Sequence, residues 1–256
     1  MKVYPKKYLG QHFLNDKNIA EKIVESLSCQ GYDEVLEIGA GMGVLTQFLL
    51  KKDFRTFVAE VDSESVEYLK TYFPELENRI AGDFLKLDFS QLFDKNSFAV
   101  IGNFPYNISS QIVFKILENR QLIPEMVGMF QKEVAERICA PKGSKTYGIL
   151  SVLTQAYYAT EYLFTVNEGV FTPPPKVKSA VIRLKRYRDE IEDIDNKLFA
   201  RIVKTGFNQR RKTLRNALKS LQITEKAQAC SLLSLRAEQL SVADFIELTK
   251  LIGGEK

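Results

Sequence analysis

One repeating pattern constrains this chain more than any other. A short apolar run ends at glycine or an acid, and a stretch with helical spacing follows. Residues 35–39, VLEIG, are apolar and β-branched and stop at Gly39, as a buried strand does. Residues 43–52, GVLTQFLLKK, carry helical spacing at Val44, Phe48 and Leu49. FRTFVAEVD (54–62) predicts a second strand, and SESVEYLKTYF (63–73) a helix that Pro74 ends. RIAGDFL (79–85) and SFAVIGNFPY (97–106) predict two more strands, with a helix at SSQIVFKILEN (109–119). MVGMFQ (126–131) follows as a fifth strand. Strand–helix alternation with short connections implies an α/β chain with a parallel sheet covered on both faces.

The second half departs from this pattern. ILSVLTQAYYAT (149–160) reads as a helix, and YLFTVNEGVF and KSAVIRLKRY as two strands joined through TPPPK. Three successive prolines exclude a ladder there and require an extended loop. Beyond Arg188 come short helices. DEIEDID reads as a linker, and NQRRKTLRNALKSL (208–221) as one helix with Leu214, Ala217, Leu218 and Leu221 on its buried face. Arg211, Lys212, Arg215 and Lys219 then fall on a separate flank. Ser241 and Asp244 form a capping-box pattern for a last helix that Gly253 closes.

Charge is unevenly spread. The chain of 256 residues has a net charge of +4, but Lys176–Ser220 holds 14 basic and five acidic residues. That segment is therefore +9 and the remainder −5. A basic block beside a mildly acidic body suits a polyanion partner. Cys29, Cys139 and Cys230 lie far apart and form no C-x-x-C pair, so a disulfide framework and a zinc knuckle are both unexpected. His12 is the only histidine, which excludes a His-rich metal site; no metal is expected. No apolar run approaches a membrane span, and MKVYPKKYLGQHF lacks the apolar core of a signal peptide. The expectation is a cytoplasmic protein that avoids membranes.

The chemistry concentrates at the predicted strand ends. Glycines at 39, 41 and 43 let the backbone turn and approach a ligand. The following helix would offer amide donors there. A dinucleotide fingerprint needs glycine at 44, where this chain has Val44, which argues against a pyrophosphate. Glycine also serves plain strand–helix packing, so the loop alone decides little. Glu60 ends the second strand, where a carboxylate can accept from both ribose hydroxyls of a nucleoside. Asp83 ends the third, placed to accept from an adenine amino group. Single surface acids are common, but together these positions describe a nucleoside pocket.

Asn103-Phe-Pro-Tyr106 ends the fourth strand. Pro105 fixes the turn, so its carbonyls have fixed directions. The Asn103 side-chain oxygen and the Phe104 carbonyl can accept the two protons of an exocyclic adenine amine. The nitrogen lone pair then leaves the ring and points at a methyl donor, which is catalysis by orientation and electrostatics. Tyr106 can stack on a flipped base, and Phe171, in VFTPPPK (170–176), is the candidate for its other face.

As a set these segments resemble the rRNA adenine N6,N6-dimethyltransferase family, the small-subunit rRNA dimethyladenosine transferases. The resemblance runs from YLGQHFLND through VLEIGAGMGVLT, AEVD, GDFLKLDF, IGNFPYNISSQIVFKIL, FQKEVAERI, YGILSVLTQ and VFTPPPKVKSAVIRL to FNQRRKTLRNAL. It implies a Rossmann-like class I S-adenosylmethionine-dependent methyltransferase sheet with a small all-helical C-terminal domain. The expected division is a cofactor domain at 1–188 and an RNA-binding domain at 189–256. By motif, Gln11, His12 and Leu14 would close over the cofactor, Gly39 and Gly41 approach its methionine part, Glu60 hold its ribose and Asp83 its adenine. Asn103, also near the cofactor, would hold the target amine, with Phe104, Pro105, Tyr106 and Phe171 around the base. Lys176, Arg210, Arg211, Lys212, Arg215 and Lys219 would contact RNA.

The family's substrate is a pair of adjacent adenosines in a hairpin loop near the 3′ end of small-subunit (16S) rRNA, each dimethylated late in ribosome assembly. The implied partner is the immature small subunit, and a monomer is the default. The chain departs from the family pattern with His12 for a common Asn, Ala40 for Pro and Phe104 for Leu. Three alternatives compete: a large-subunit rRNA adenine methyltransferase, a non-catalytic RNA-binding factor and a DNA adenine methyltransferase. FNQRRKTLRNAL separates the first, intact Glu60, Asp83 and Asn103 the second, and the small C-terminal piece the third.

Overall fold

The strand runs become one seven-stranded sheet. Its strands are β2 (Glu34–Ile38), β3 (Arg55–Ala59), β4 (Ile80–Ala81), β5 (Phe98–Asn103), β6 (Glu125–Gln131), β7 (Tyr158–Val166) and β9 (Ser179–Arg186), in the order β4-β3-β2-β5-β6-β9-β7. A two-stranded ribbon pairs β1 (Phe13–Leu14) with β8 (Phe171–Thr172), antiparallel. The computed structural model describes residues 3–93, 96–221 and 223–253. Contacts divide the chain into two units, Met1–Ala135 with Thr160–Arg186, and Glu136–Ala159 with Tyr187–Lys256.

In the first unit, β2 to β6 run parallel and β9 returns antiparallel to β6. Every residue of β2 is buried, which is why its sequence is a continuous rather than an alternating run. Helices α1 (Lys17–Glu25), α2 (Thr46–Leu49), α3 (Ser63–Tyr72), α4 (Phe89–Leu92), α5 (Ser109–Glu118) and α6 (Lys132–Ile138) follow the strands. The helix expected over 43–52 is α-helical only at Thr46–Leu49, because turns occupy the glycine-rich residues before it. The strand order reverses between β2 and β5, and open α/β sheets bind ligands at that point, beyond the carboxyl ends.

The opposite end of the sheet is tied down by one carboxylate. Buried Glu125, at the start of β6, accepts from Ser28 N (3.1 Å), Ser28 Oγ (2.7 Å) and Tyr32 Oη (2.8 Å). Burial, with this carboxylate alongside, holds the Tyr32 phenol well above its ordinary value. Glu125→Ala strands these donors and is expected to cost about 3 kcal/mol of unfolding free energy, read from urea denaturation midpoints.

The second unit contains α7 (Ile149–Gln155), α8 (Asn196–Asn208), α9 (Leu214–Ala217), α10 (Glu225–Gln228) and α11 (Val242–Gly253). Three sequence expectations are corrected here. ILSVLTQAYYAT is helical only to Gln155, and its tail starts β7 at Tyr158. NQRRKTLRNALKSL is not one helix: α8 ends at Asn208, Arg210–Lys212 form a turn, and Thr213 bridges to Arg236 before the short α9. Leu214, Ala217, Leu218 and Leu221 are nevertheless buried, so the spacing reported burial rather than a continuous helix. DEIEDID buries Ile191 and Ile194 and is therefore packed rather than a bare linker. The capping box stands: Ser241 N donates to Asp244 Oδ2 (2.7 Å) and Asp244 N to Ser241 Oγ (3.1 Å). No described helix is long and apolar enough to cross a membrane.

Candidate active site

The turn after β2 is built from glycines with positive φ at 39, 41 and 43. A Cβ on Gly41 would sit 2.9 Å from the Phe13 ring, so the strained backbone and the close neighbour both require glycine there. The Gly41 amide donates to Glu60 Oε2 (3.0 Å). The amide of Gly41 itself is therefore held by a carboxylate. Glu60 Oε1 accepts from Val61 N (2.8 Å) and Asp62 N (2.9 Å), which leaves Oε2 one accepting direction. Burial raises the Glu60 carboxyl above its ordinary value, against those three N–H donors.

The segment before β1 crosses this region and is pinned along its length. Lys6 pairs with Asp62 and Glu64, Gln11 Nε2 donates to Asp62 Oδ2 (3.5 Å), and Lys6 N donates to Gln11 Oε1 (2.7 Å). Burial disfavours the Asp62 anion, but Lys6, Ser65 and Gln11 outweigh it and lower its pKa. His12 Nδ1 donates to the Pro173 carbonyl (2.7 Å), and the His12 carbonyl accepts from Asn103 Nδ2 (2.8 Å). That last bond fixes the Asn103 amide at the end of β5 and leaves Oδ1 as its acceptor.

A cavity of about 210 Å³ opens at the carboxyl ends. It gathers Gln11, His12, Gly39, Gly41, Glu60 and Asp83, and from the other side Asn103, Phe104, Pro105 and Tyr106. Leu14 lines an adjoining cavity with Glu37, Gly39 and Asn103. Tyr106 is half-buried, its hydroxyl 2.5 Å from Ser179 Oγ and its ring 5.2 Å from that of His12 at 28°. Burial raises the Tyr106 phenol.

The structure does not bring Phe171 to this cavity. Strand alternation turns Thr172 outward and Phe171 inward, where the ring is 3% exposed and packs in the core with Leu14. Lys176 is exposed on the loop beyond. In the second unit Arg211, Lys212, Arg215 and Lys219 are exposed, and Arg210 bonds Glu238 (3.3 Å) and the Lys145 carbonyl (2.8 Å).

Sequence reasoning missed the apolar walls Val61, Phe84, Leu85 and Ile108, and the supports Lys6, Asp62 and Ser179. The one hint legible in the sequence is an apolar Val61 between Glu60 and Asp62; the structure leaves it 55% exposed. Among the described residues, no three His, Cys, Asp or Glu side chains are placed to hold a metal.

A nucleoside-sized cavity with an acid at each of two strand ends, at the strand-order reversal of a mostly parallel sheet, is the arrangement of a Rossmann-like nucleoside-binding fold and fits a class I methyltransferase. A family model described as ribosomal RNA adenine dimethylase matches residues 4–253. The chain belongs to the ribosomal RNA adenine dimethylase family. It is 60% identical over 252 residues to ribosomal RNA small subunit methyltransferase A of Flavobacterium johnsoniae, covering 98% of this chain and 97% of that one. It is 58% identical to the protein of the same name from Cytophaga hutchinsonii, covering 99% of each. The crystal structure of a dimethyladenosine transferase from Plasmodium falciparum superposes with a TM-score of 0.77 at 25% identity, over 93% of this chain and 96% of that one. A 23S rRNA methyltransferase, ErmE, shares the fold at TM-score 0.67 and 24% identity, over 94% of this chain and all of that one.

Proposed function

We propose that this chain transfers methyl groups from S-adenosylmethionine to N6 of two adjacent adenosines in a hairpin loop near the 3′ end of small-subunit rRNA. The observation that carries the reading is the Asn103 amide, held through Nδ2 by the His12 carbonyl at the mouth of the nucleoside-sized cavity.

The residues present fit the cofactor. Glu60 keeps one accepting direction for ribose hydroxyls, and Asp83 can accept from an adenine amine. Val61, Phe84 and Leu85 supply flat apolar walls, and Gly39 and Gly41 leave room for the methionine part. When bound, the cofactor supplies an electrophilic methyl carbon on a sulfonium.

Asn103 Oδ1 and the Phe104 carbonyl accept the two N6 protons and turn the nitrogen lone pair out of the adenine ring. Pro105 limits the turn, so both acceptors hold their direction as the reaction proceeds. Tyr106, anchored through Ser179, offers a ring to the base. Gln11, His12 and Leu14 cover the site from the N-terminal segment, and no imidazole base is needed.

The helical segment from residue 189 and the loop at Lys176 supply positive charge for RNA. Arg211→Glu with Arg215→Glu is expected to weaken RNA binding about tenfold and to lower the salt slope by about two. An unchanged affinity and slope refute the RNA role of this surface. The proposed partner is the immature small subunit, the proposed compartment the cytoplasm and the proposed state a monomer. The test is transfer of labelled methyl groups to unmodified small subunits, with large subunits as control, and mapping of the modified bases. Label confined to two adjacent adenosines supports the reading, and label on large subunits overturns it.

A further inference from the structure

Two glycines face each other across the strands that carry the target-amine site. Gly102 on β5 and Gly128 on β6 are direct register partners, one step before Asn103 and Met129. Neither has positive φ, so backbone conformation does not explain them. The close approach of another group does. The Phe104 ring folds back over both: a Cβ on Gly128 would lie 2.3 Å from Phe104 Cε2 and 2.9 Å from Cζ, and a Cβ on Gly102 would lie 2.9 Å from Phe104 Cε1. The ring is fully buried and meets Phe130 edge-on, centroids 5.0 Å apart at 83°. Phe104 N donates to the Met129 carbonyl (3.1 Å), so backbone and ring are both locked onto β6.

We propose that Gly128 is a positioning residue for methyl transfer. By leaving the floor of β6 empty, it seats the Phe104 ring and so sets the direction of the Phe104 carbonyl that accepts a proton from the target amine. The proposal rests on the target-amine reading above. It also explains how this chain carries Phe in its N-F-P-Y turn: the ring occupies the volume that a side chain at 128 would fill.

Geometry separates the two glycines. The atoms nearest a Cβ at 128 are Phe104 Cε2 and Cζ, which leucine lacks, and Met126 Sδ (2.9 Å), which belongs to a flexible side chain that can turn aside. A Cβ at 102 would instead lie 2.5 Å from the Ile38 carbonyl, a backbone atom that no change at 104 removes. Phe104→Leu should therefore rescue Gly128→Ala and fail to rescue Gly102→Ala.

The test measures kcat on unmodified small subunits together with the affinity for S-adenosylhomocysteine, for the native protein, Phe104→Leu, Gly128→Ala and Gly102→Ala, and for each glycine variant combined with Phe104→Leu. Gly128→Ala is expected to lower kcat at least about tenfold with S-adenosylhomocysteine affinity within about twofold of native. Adding Phe104→Leu should restore most of the loss at 128 and none at 102. Three outcomes overturn the proposal: a native kcat in Gly128→Ala, a loss of S-adenosylhomocysteine binding in step with kcat, or a double variant no faster than Gly128→Ala. A native protein that methylates no small subunit instead refutes the reading beneath it.

Discussion

Asn103→Ala is expected to lower methyl transfer to small subunits by about 10²–10³-fold, the range for removal of one preorganised polar partner of the reacting group. RNA affinity should stay within about twofold of native, because Asn103 recognises one amine and the basic surface supplies the bulk attraction. The size of the effect follows from the site's construction. The N6 lone pair is delocalised into the ring, and in the first transfer acceptance of both N6 protons, by Asn103 Oδ1 and the Phe104 carbonyl, turns it out of the ring. With Asn103 gone, the Phe104 carbonyl holds one proton and the amine stays planar. The His12 carbonyl also loses its donor, which loosens the N-terminal segment over the cavity. S-adenosylhomocysteine affinity should therefore fall slightly, far less than the rate. Filter binding and single-turnover labelling separate the two. Parallel losses of RNA binding and transfer would sink the proposed role of Asn103.

The parts of this fold legible in the sequence are those whose signal is local. Strands β2, β3, β5 and β6 are buried, so their residues form apolar runs that stop where the strands stop. Glu60, Asp83 and Asn103 were legible for the same reason, each following a run that a parallel sheet aligns at one edge. Whatever depends on pairing across distant segments left no local trace. The β1–β8 ribbon has two residues per strand, too few for any period, and its register alone sends Phe171 into the core. The 208–221 segment misled for a different reason. Apolar spacing of three and four fits one turn of α9 preceded by a β-bridge as well as it fits a long helix. The Gly102–Gly128 pair, twenty-six residues apart in sequence, is adjacent only through strand register.

The largest stability effect is expected from a carboxyl that the mechanism does not use. Glu37 lies within β2, fully buried, and accepts from Thr46 Oγ1 (2.6 Å). Burial pushes its pKa up from 4.5 to about 8, with Glu60 adding repulsion and the Thr46 hydroxyl opposing both. The native state holds the proton more tightly than the unfolded chain, so the stabilising contribution is complete below pH 4.5 and is lost as pH rises through about 8. Over that interval unfolding free energy should fall by on the order of 4 kcal/mol from this group. Glu37→Gln is neutral at every pH and keeps an oxygen for the Thr46 hydroxyl. It should match the native protein near pH 5, exceed it by several kcal/mol at pH 9, and leave the alkaline limb of the stability profile flatter. Urea midpoints at pH 5, 7 and 9 for both proteins measure this. Parallel profiles would mean that Glu37 stays ionised in the native state and that its burial is offset by groups other than Thr46.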